Sequence, residues 1–120
     1  MTVLEEILVH KRREIAMRKA AGNPPAPRGT RPDFVAALRV TPIGLIAEIK
    51  RRSPSAGALR EPFDPPALAR AYEDAGAQAI SVLMDERYFG GGEEVFRAVR
   101  SATRLPLLLS LIHISEPTRL

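Results

Sequence analysis

The residues best suited to chemistry stand close together in the chain, at Glu48, Lys50, Arg51, Arg52, Ser53 and Ser55. They follow an apolar run from Ile43 to Ile49, interrupted by Gly44, Ala47 and Glu48. In a β-strand successive side chains alternate between faces, so Ile46, Glu48 and Lys50 share one face and Leu45, Ala47 and Ile49 the other. A carboxylate and an ammonium then point the same way, roughly 7 Å apart along the strand at ~3.3 Å rise per residue. Beyond them, the proline at position 54 keeps the chain out of a helix and leaves the hydroxyls of Ser53 and Ser55, with several N–H groups, free to meet a ligand. A charged pair on a buried strand is costly unless it is paired or has work to do. On these residues alone a structural ion pair at a strand end is as good an account as a functional site.

Helices must flank such a strand. Residues 2 to 20 read as an amphipathic helix: Thr2 can cap it, Glu5 completes a capping box, and Leu4, Ile7, Leu8, Lys11 and Ile15 fall on one face. His10 on this helix has no ligand partner at helical spacing. The segment from Gly22 to Pro32 holds four prolines and two glycines, which is loop chemistry, with Arg28 and Arg31 solvated. Asp33 to Arg39 reads as a short helix with Phe34, Val35 and Leu38 inward, and a strand is expected from Ile43 to Lys50. After the charged loop, Asp64 before Pro65 and Pro66 is a helix start. Leu68, Ala71, Tyr72 and Ala75 recur at helical spacing there, and Gly76 supplies the stop. Ala79 to Met84 is a second, β-branched and apolar strand. The loop Phe89-Gly90-Gly91-Gly92 needs positive φ or cradles a phosphate, and three adjacent glycines do not choose between these. Glu93 to Ser101 is a helix with Val95, Phe96 and Val99 inward, and a third strand begins at Leu105. Strands alternating with helices of about ten residues imply βαβ units and parallel pairing. Repeat length alone leaves a doubly wound sheet and an eightfold barrel both open.

Composition narrows the class. With 45% hydrophobic residues in 120, the chain is globular material for about one domain. It has no cysteine, which excludes disulfides and thiolate ligands. No apolar run approaches the ~20 residues a bilayer span needs. Glu5 and Glu6 stand where a secretion signal would place its apolar core, so a cytoplasmic setting is expected. The net charge of +4 invites a nucleic-acid reading. Against it, the arginines are scattered, and only 5% of residues are aromatic. A basic site for a small anion accounts for part of the charge without nucleic acid or membrane.

The run Ala47-Glu48-Ile49-Lys50-Arg51-Arg52-Ser53-Pro54-Ser55, with Gly57 and Leu59 after it, resembles the signature of indole-3-glycerol phosphate synthase, a family of tryptophan biosynthesis. A second block, from Ala79 through Asp85 to Phe89-Gly90-Gly91, resembles that family's second strand and following loop, with Met84 where many members carry threonine. The likeness covers residues 1 to about 108 and decides for the barrel. It implies an α/β fold, the N-terminal portion of a TIM (β/α)8 barrel with about three parallel strands. An N-terminal helical extension would occupy residues 1–42 and the first βα units 43–108.

The implied enzyme is a carboxy-lyase. It closes the indole ring of 1-(2-carboxyphenylamino)-1-deoxyribulose 5-phosphate with loss of carbon dioxide and water, and it needs no metal or organic cofactor. By motif position Glu48 and Lys50 are the implied catalytic residues: Glu48 would stabilise positive charge on the intermediate, and Lys50 would hold a substrate anion. Ser53 and Arg51 would bind the phosphate, and Phe89 would line the aromatic pocket or pack in the core. Another phosphate-binding barrel enzyme, such as a phosphoribosyl isomerase, is the alternative, although the Glu-x-Lys-x-x-Ser-Pro-Ser run is not its signature. A basic nucleic-acid module is the third reading.

The C-terminus departs from the pattern. After Pro106-Leu107-Leu108 the family is expected to continue Arg-Lys-Asp-Phe, the lysine being the general acid. Here Leu109 to Arg119 resembles the in-frame translation of a transposon-end sequencing adapter, so residues 109–120 are expected to be a non-native tail. His113 and Glu116 therefore take no role. With that lysine, a second glutamate and the late phosphate loops all expected beyond Leu108, the 120-residue chain is expected to be inactive by itself.

Overall fold

The computed structural model describes residues 2–22, 31–59 and 61–110, and the chain divides into two compact units. Arg28 and the segment carrying His113 and Glu116 lie outside the described residues. The described part of the first unit is one helix, α1 (Val3–Ala21). The Thr2 hydroxyl accepts the N–H of Glu5 at 3.1 Å, and the Glu5 carboxylate accepts the N–H of Thr2 at 2.6 Å, so the expected capping box is formed. Ile7 and Lys11 are buried and Leu8 and Ile15 half-buried, but Leu4 is 61% exposed, so the inward stripe begins a turn later than its spacing implied. The buried Lys11 ammonium lies 2.8 Å from one Glu14 oxygen, and His10 Nε2 lies 2.7 Å from the other. Burial pushes the Glu14 carboxyl up, yet the bonds and charges of Lys11 and His10 together hold it below its ordinary value.

The second unit runs from the short helix α2 (Phe34–Arg39) through β1 (Ile46–Ile49), a minimal hairpin of β2 (Arg52–Ser53) and β3 (Gly57–Ala58), α3 (Pro65–Asp74), β4 (Ala79–Leu83) and α4 (Glu93–Ala102) to β5 (Leu107–Ser110). Asp33 and Asp64 cap their helices by accepting the N–H groups of Ala36 and Ala67, each at 3.0 Å. Val35 was expected to face inward but is 54% exposed. On α3 the buried residue is Ala69, whereas Ala71 and Ala75 are exposed. A small residue lets the helix approach the sheet closely, and the larger Leu68 and Tyr72 pack at the margin of the contact.

β1, β4 and β5 form one parallel sheet in the order β1-β4-β5, as the alternation of strands and helices implies. β1 is shorter than expected: Ile43 is 85% exposed, and the chain bends before reaching Leu45. Gly44 is pressed against Leu38, where a Cβ would come within 2.9 Å of the Leu38 carbonyl oxygen, and this close approach fixes where the strand can begin. Its first ladder contacts come from Gln78, whose side chain accepts the Leu45 N–H at 2.7 Å while its own N–H donates to the Leu45 carbonyl at 3.0 Å. One face of the sheet is sealed: Ile49, Ile80, Val82, Ala69 and Val99 form the core, with Phe63, Leu68, Tyr72, Val95 and Phe96 packed around it. The other face is open along its outer strands, while Ala79, Ser81 and Leu83 of the central β4 stay buried. Ile46 is 41% and Leu108 45% exposed, so β1 is buried on one side only and not, as its sequence suggested, throughout.

The loop after β4 is laced from two sides. Asp85, 1% exposed, accepts the N–H groups of Tyr88 and Phe89 at 2.7 and 3.3 Å on one carboxylate oxygen. From β2, Arg52 donates its guanidinium to the carbonyls of Glu86 and Arg87 at 3.1 and 3.0 Å and its backbone N–H to Phe89 at 3.3 Å. The glycines answer the question their run left open on conformational grounds: Gly90 and Gly92 have φ of 67° and 135°. At Gly91 a Cβ would fall 1.9 Å from the Leu83 carbonyl oxygen.

Two outcomes follow from these contacts. Gly91→Ala is expected to lower stability by about 1–3 kcal/mol, the usual cost of forcing atoms into a filled site, read as a lower urea midpoint at unchanged slope. Because the folded Glu14 carboxyl sits below its ordinary value of 4.5, its stabilisation is present above that pH and disappears as pH falls through the folded value. The protection factors of α1 amides, exchange measured relative to the intrinsic rate at each pH, are expected to fall in that acid window in the native chain, and Glu14→Gln is expected to flatten the dependence.

Candidate functional site

β1 carries the candidate site out of the sheet. Ile49 is anchored in the core at 1% exposure, and the Tyr72 hydroxyl donates to the Glu48 carbonyl at 2.9 Å, so α3 grips the backbone between the two charged positions. With Ile49 turned inward, alternation sends Glu48 and Lys50 to the open face. Lys50 Nζ lies 3.4 Å from Glu48 Oε1, closer than their strand spacing, because both long side chains lean together. The side chains are 49% exposed for Glu48 and 32% for Lys50. Ion pairs this open to water contribute on the order of 0–1 kcal/mol, so the fold has little use for this one. What the pair offers is a carboxylate and an ammonium presented together, at the C-terminal end of a parallel strand.

The other expected residues are placed nearby but serve different contacts. Ser53 accepts the Ala56 N–H at 3.1 Å and lies 3.4 Å from the Ser55 hydroxyl, closing the turn of the hairpin. Arg51, one residue on from Lys50, projects away from the pair: its guanidinium lies over the Phe63 ring at 4.7 Å from the centroid, and its stem runs against Gly90. Phe89 is half-buried, and its carbonyl ties the β4 loop to Arg52. Thus Glu48 and Lys50 are brought together at the end of β1, Ser53 follows on the β2–β3 hairpin, and Arg51 and Phe89 belong to the neighbouring loop contact.

That contact borders a cavity of about 540 Å³ lined by Arg51, Arg52, Glu86, Gly90, Gly91 and Glu94 among others, with neither Glu48 nor Lys50 in its wall. Two guanidiniums face two carboxylates there, and Arg52 is already bonded to two carbonyls, so the cavity has no net preference for an anion. Among the described residues no three His, Asp or Glu side chains gather as a metal site, and no helix is long and apolar enough to cross a membrane. Sequence reasoning quoted Asp85 and Arg52 within their motifs but gave neither a role. An acidic residue at the end of a largely apolar strand was the available signal for the first, since a carboxylate there can cap the turn that follows. Arg52 had none, because its partners are carbonyls 34 and 35 residues away.

Comparison with known proteins gives this arrangement its relatives. Residues 4–112 match the family described as indole-3-glycerol phosphate synthase. The chain is 50% identical to the indole-3-glycerol phosphate synthase of Geobacillus kaustophilus, the alignment covering 88% of this chain and 41% of that protein. It is 47% identical to the enzyme of that name from Rhodopirellula baltica, covering 90% of this chain and 44% of the other. With the Mycolicibacterium vanbaalenii protein of the same name the identity is 47%, over 89% and 42% respectively. The chain therefore spans about two-fifths of the length of the curated relatives it matches. Those relatives are TIM barrels, of which this chain covers part. Over the shared length, with its three parallel strands in sequence, this chain belongs to the indole-3-glycerol phosphate synthase family.

Proposed function

We propose that this chain supplies the first βα units of an indole-3-glycerol phosphate synthase, with Glu48 and Lys50 as its catalytic residues. The observation that carries the reading is the Glu48–Lys50 pair, 3.4 Å apart and facing the open side of the sheet at the end of β1. The substrate, 1-(2-carboxyphenylamino)-1-deoxyribulose 5-phosphate, is anionic at its carboxylate and its phosphate, and ring closure passes positive charge through the ring nitrogen. A carboxylate beside that nitrogen stabilises the cation as it develops, while the ammonium neutralises a substrate anion. Lys50 thus binds and orients, and Glu48 acts on the charge that appears during ring closure. Carbon dioxide and water leave, the aromatic indole forms, and no electron acceptor is needed.

The remaining assignments follow in the same reading. Ser53 binds the phosphate by turning its hydroxyl proton outward while still accepting from Ala56, a geometry a hydroxyl permits. Arg51 joins it by leaving the Phe63 ring, and Phe89 borders the anthranilate ring. Such an enzyme works on a small phosphorylated metabolite in the cytoplasm, without a metal or organic cofactor.

The test joins residues 1–108 of this chain to the C-terminal part of the Geobacillus kaustophilus relative that the alignment does not cover. The chimera is expected to form indole-3-glycerol phosphate, and Glu48→Gln and Lys50→Ala are each expected to lower kcat/KM by about 10²- to 10³-fold, the scale of losing one electrostatic contact to the transition state. Turnover indifferent to both substitutions, or a phosphoribosyl isomerisation in its place, refutes the reading. The 120-residue chain by itself is expected to show no turnover; activity that survives purification and vanishes in Lys50→Ala overturns that expectation.

A further inference from the structure

We propose that Tyr72, on α3, is a positioning residue for the Glu48–Lys50 pair: its hydroxyl fixes the peptide from which the Glu48 carboxylate is aimed. The proposal rests on the reading of Glu48 as catalytic and adds to it a residue that touches neither substrate nor reacting atoms. The Tyr72 hydroxyl donates to the Glu48 carbonyl at 2.9 Å, across 24 positions of the chain. That carbonyl belongs to the planar peptide joining Glu48 to Ile49, so the bond sets the backbone twist on one side of the Glu48 Cα. At the far end of the same peptide Ile49 is anchored in the core at 1% exposure. The side chains of Glu48 and Lys50 leave the strand on either side of Ile49, so their directions follow from this doubly held peptide. A carbonyl oxygen has two lone pairs, and the phenol can use one while leaving the other for a backbone N–H.

The pair cannot hold itself. With Glu48 49% and Lys50 32% exposed, their attraction is offset by hydration and by the entropy of two long side chains, and the 3.4 Å separation widens easily once the backbone is free to rock. Gln78 grips β1 at Leu45, before the pair, and Arg52 ties the chain to the β4 loop after it. The phenol acts at the pair. It is itself stiffly mounted: the Tyr72 carbonyl accepts the Ala77 N–H at 3.0 Å, so the turn that carries Gln78 to Leu45 also steadies the residue that reaches Glu48. The Tyr72 ring packs against the core while its oxygen extends to the strand. Phenylalanine would supply that packing equally well, so the task peculiar to tyrosine is the bond to Glu48.

The first measurement uses the full 120-residue chain and needs no turnover. Glu48→Gln removes a charge 3.4 Å from the Lys50 ammonium and displaces its nitrogen resonance. In a Tyr72→Phe background that displacement is expected to shrink by about half or more, since the interaction falls as the charges separate. An unchanged displacement overturns the proposal. The second measurement uses the chimera of residues 1–108 with the Geobacillus kaustophilus relative. There Tyr72→Phe is expected to lower kcat by about three- to tenfold, the scale of one hydrogen bond, with KM within about twofold of its parent. In the Glu48→Gln background the same substitution is expected to change kcat by less than about 1.5-fold, because the group it positions is gone. A loss carried by KM alone, or an equal loss in both backgrounds, overturns the proposal, since a general loosening of the fold acts without Glu48. Intact turnover in Glu48→Gln refutes the catalytic reading above, while a reduced Lys50 displacement beside it still supports Tyr72 as the residue that holds the pair.

Discussion

Everything in the second unit depends on the register of β1 against β4. With Glu48 opposite Ser81 and Ile49 opposite Val82, every second residue of β1 enters the core and every other one meets the open face. A slip of one residue would drive Glu48 and Lys50 into the layer between sheet and helices and turn Ile49 out to water. The register is fixed at both ends of the strand. Gln78 clamps Leu45 through its side chain and its backbone, and Tyr72 holds the Glu48 carbonyl from α3. Between them Ile49, Ile80 and Val82, all at 1% exposure or less, interlock beneath the helices. The charged pair is therefore aimed by apolar packing on the reverse of its own strand, with little help from its own attraction.

The same division runs through the rim. Side chains that fix the backbone are satisfied within the fold: Asp85 and Arg52 lace the β4 loop, and Ser53 closes the hairpin. Glu48 and Lys50, the two that the family resemblance marks as catalytic, are left open to water. A loop held this way loses less entropy when a ligand arrives, so its rigidity serves binding as well as stability. Arg51 stands between the two sets. Its contact with Phe63 is a cation over an aromatic face, worth about 0.5–1 kcal/mol when exposed, so it is easily exchanged for a contact with an anion.

Much of this was legible in the sequence wherever a local rule decides. Thr2 with Glu5, Asp33, and Asp64 with its prolines announced their helix starts because capping involves residues three apart. The β-branched, largely apolar run from Ala79 announced a strand, and the strand proves to be the central one, buried throughout. The pairing of Glu48 with Lys50 followed from strand alternation alone. What failed was long-range. That β1 is covered on one face only, that Val35 and Leu4 point outward, and that Ala69 is the α3 residue against the sheet all depend on which neighbours arrive, which no window of a few residues contains. Arg52 and the hairpin of β2 and β3 were missed for the same reason, since a two-residue ladder has no period to detect.

The open face also bears on how much the pair can do in this chain. In water, at an effective dielectric near 80, two unit charges 4 Å apart interact by about 1 kcal/mol, and by several times more once the site is walled off. A carboxylate stabilises a developing cation effectively only when it is fixed and dry, and Glu48 is fixed but wet. The three strands supply the first condition through packing beneath β1. The second requires walls on the side where Ile46 and Leu108 now meet solvent, so enclosing the site and covering the apolar face are one physical event.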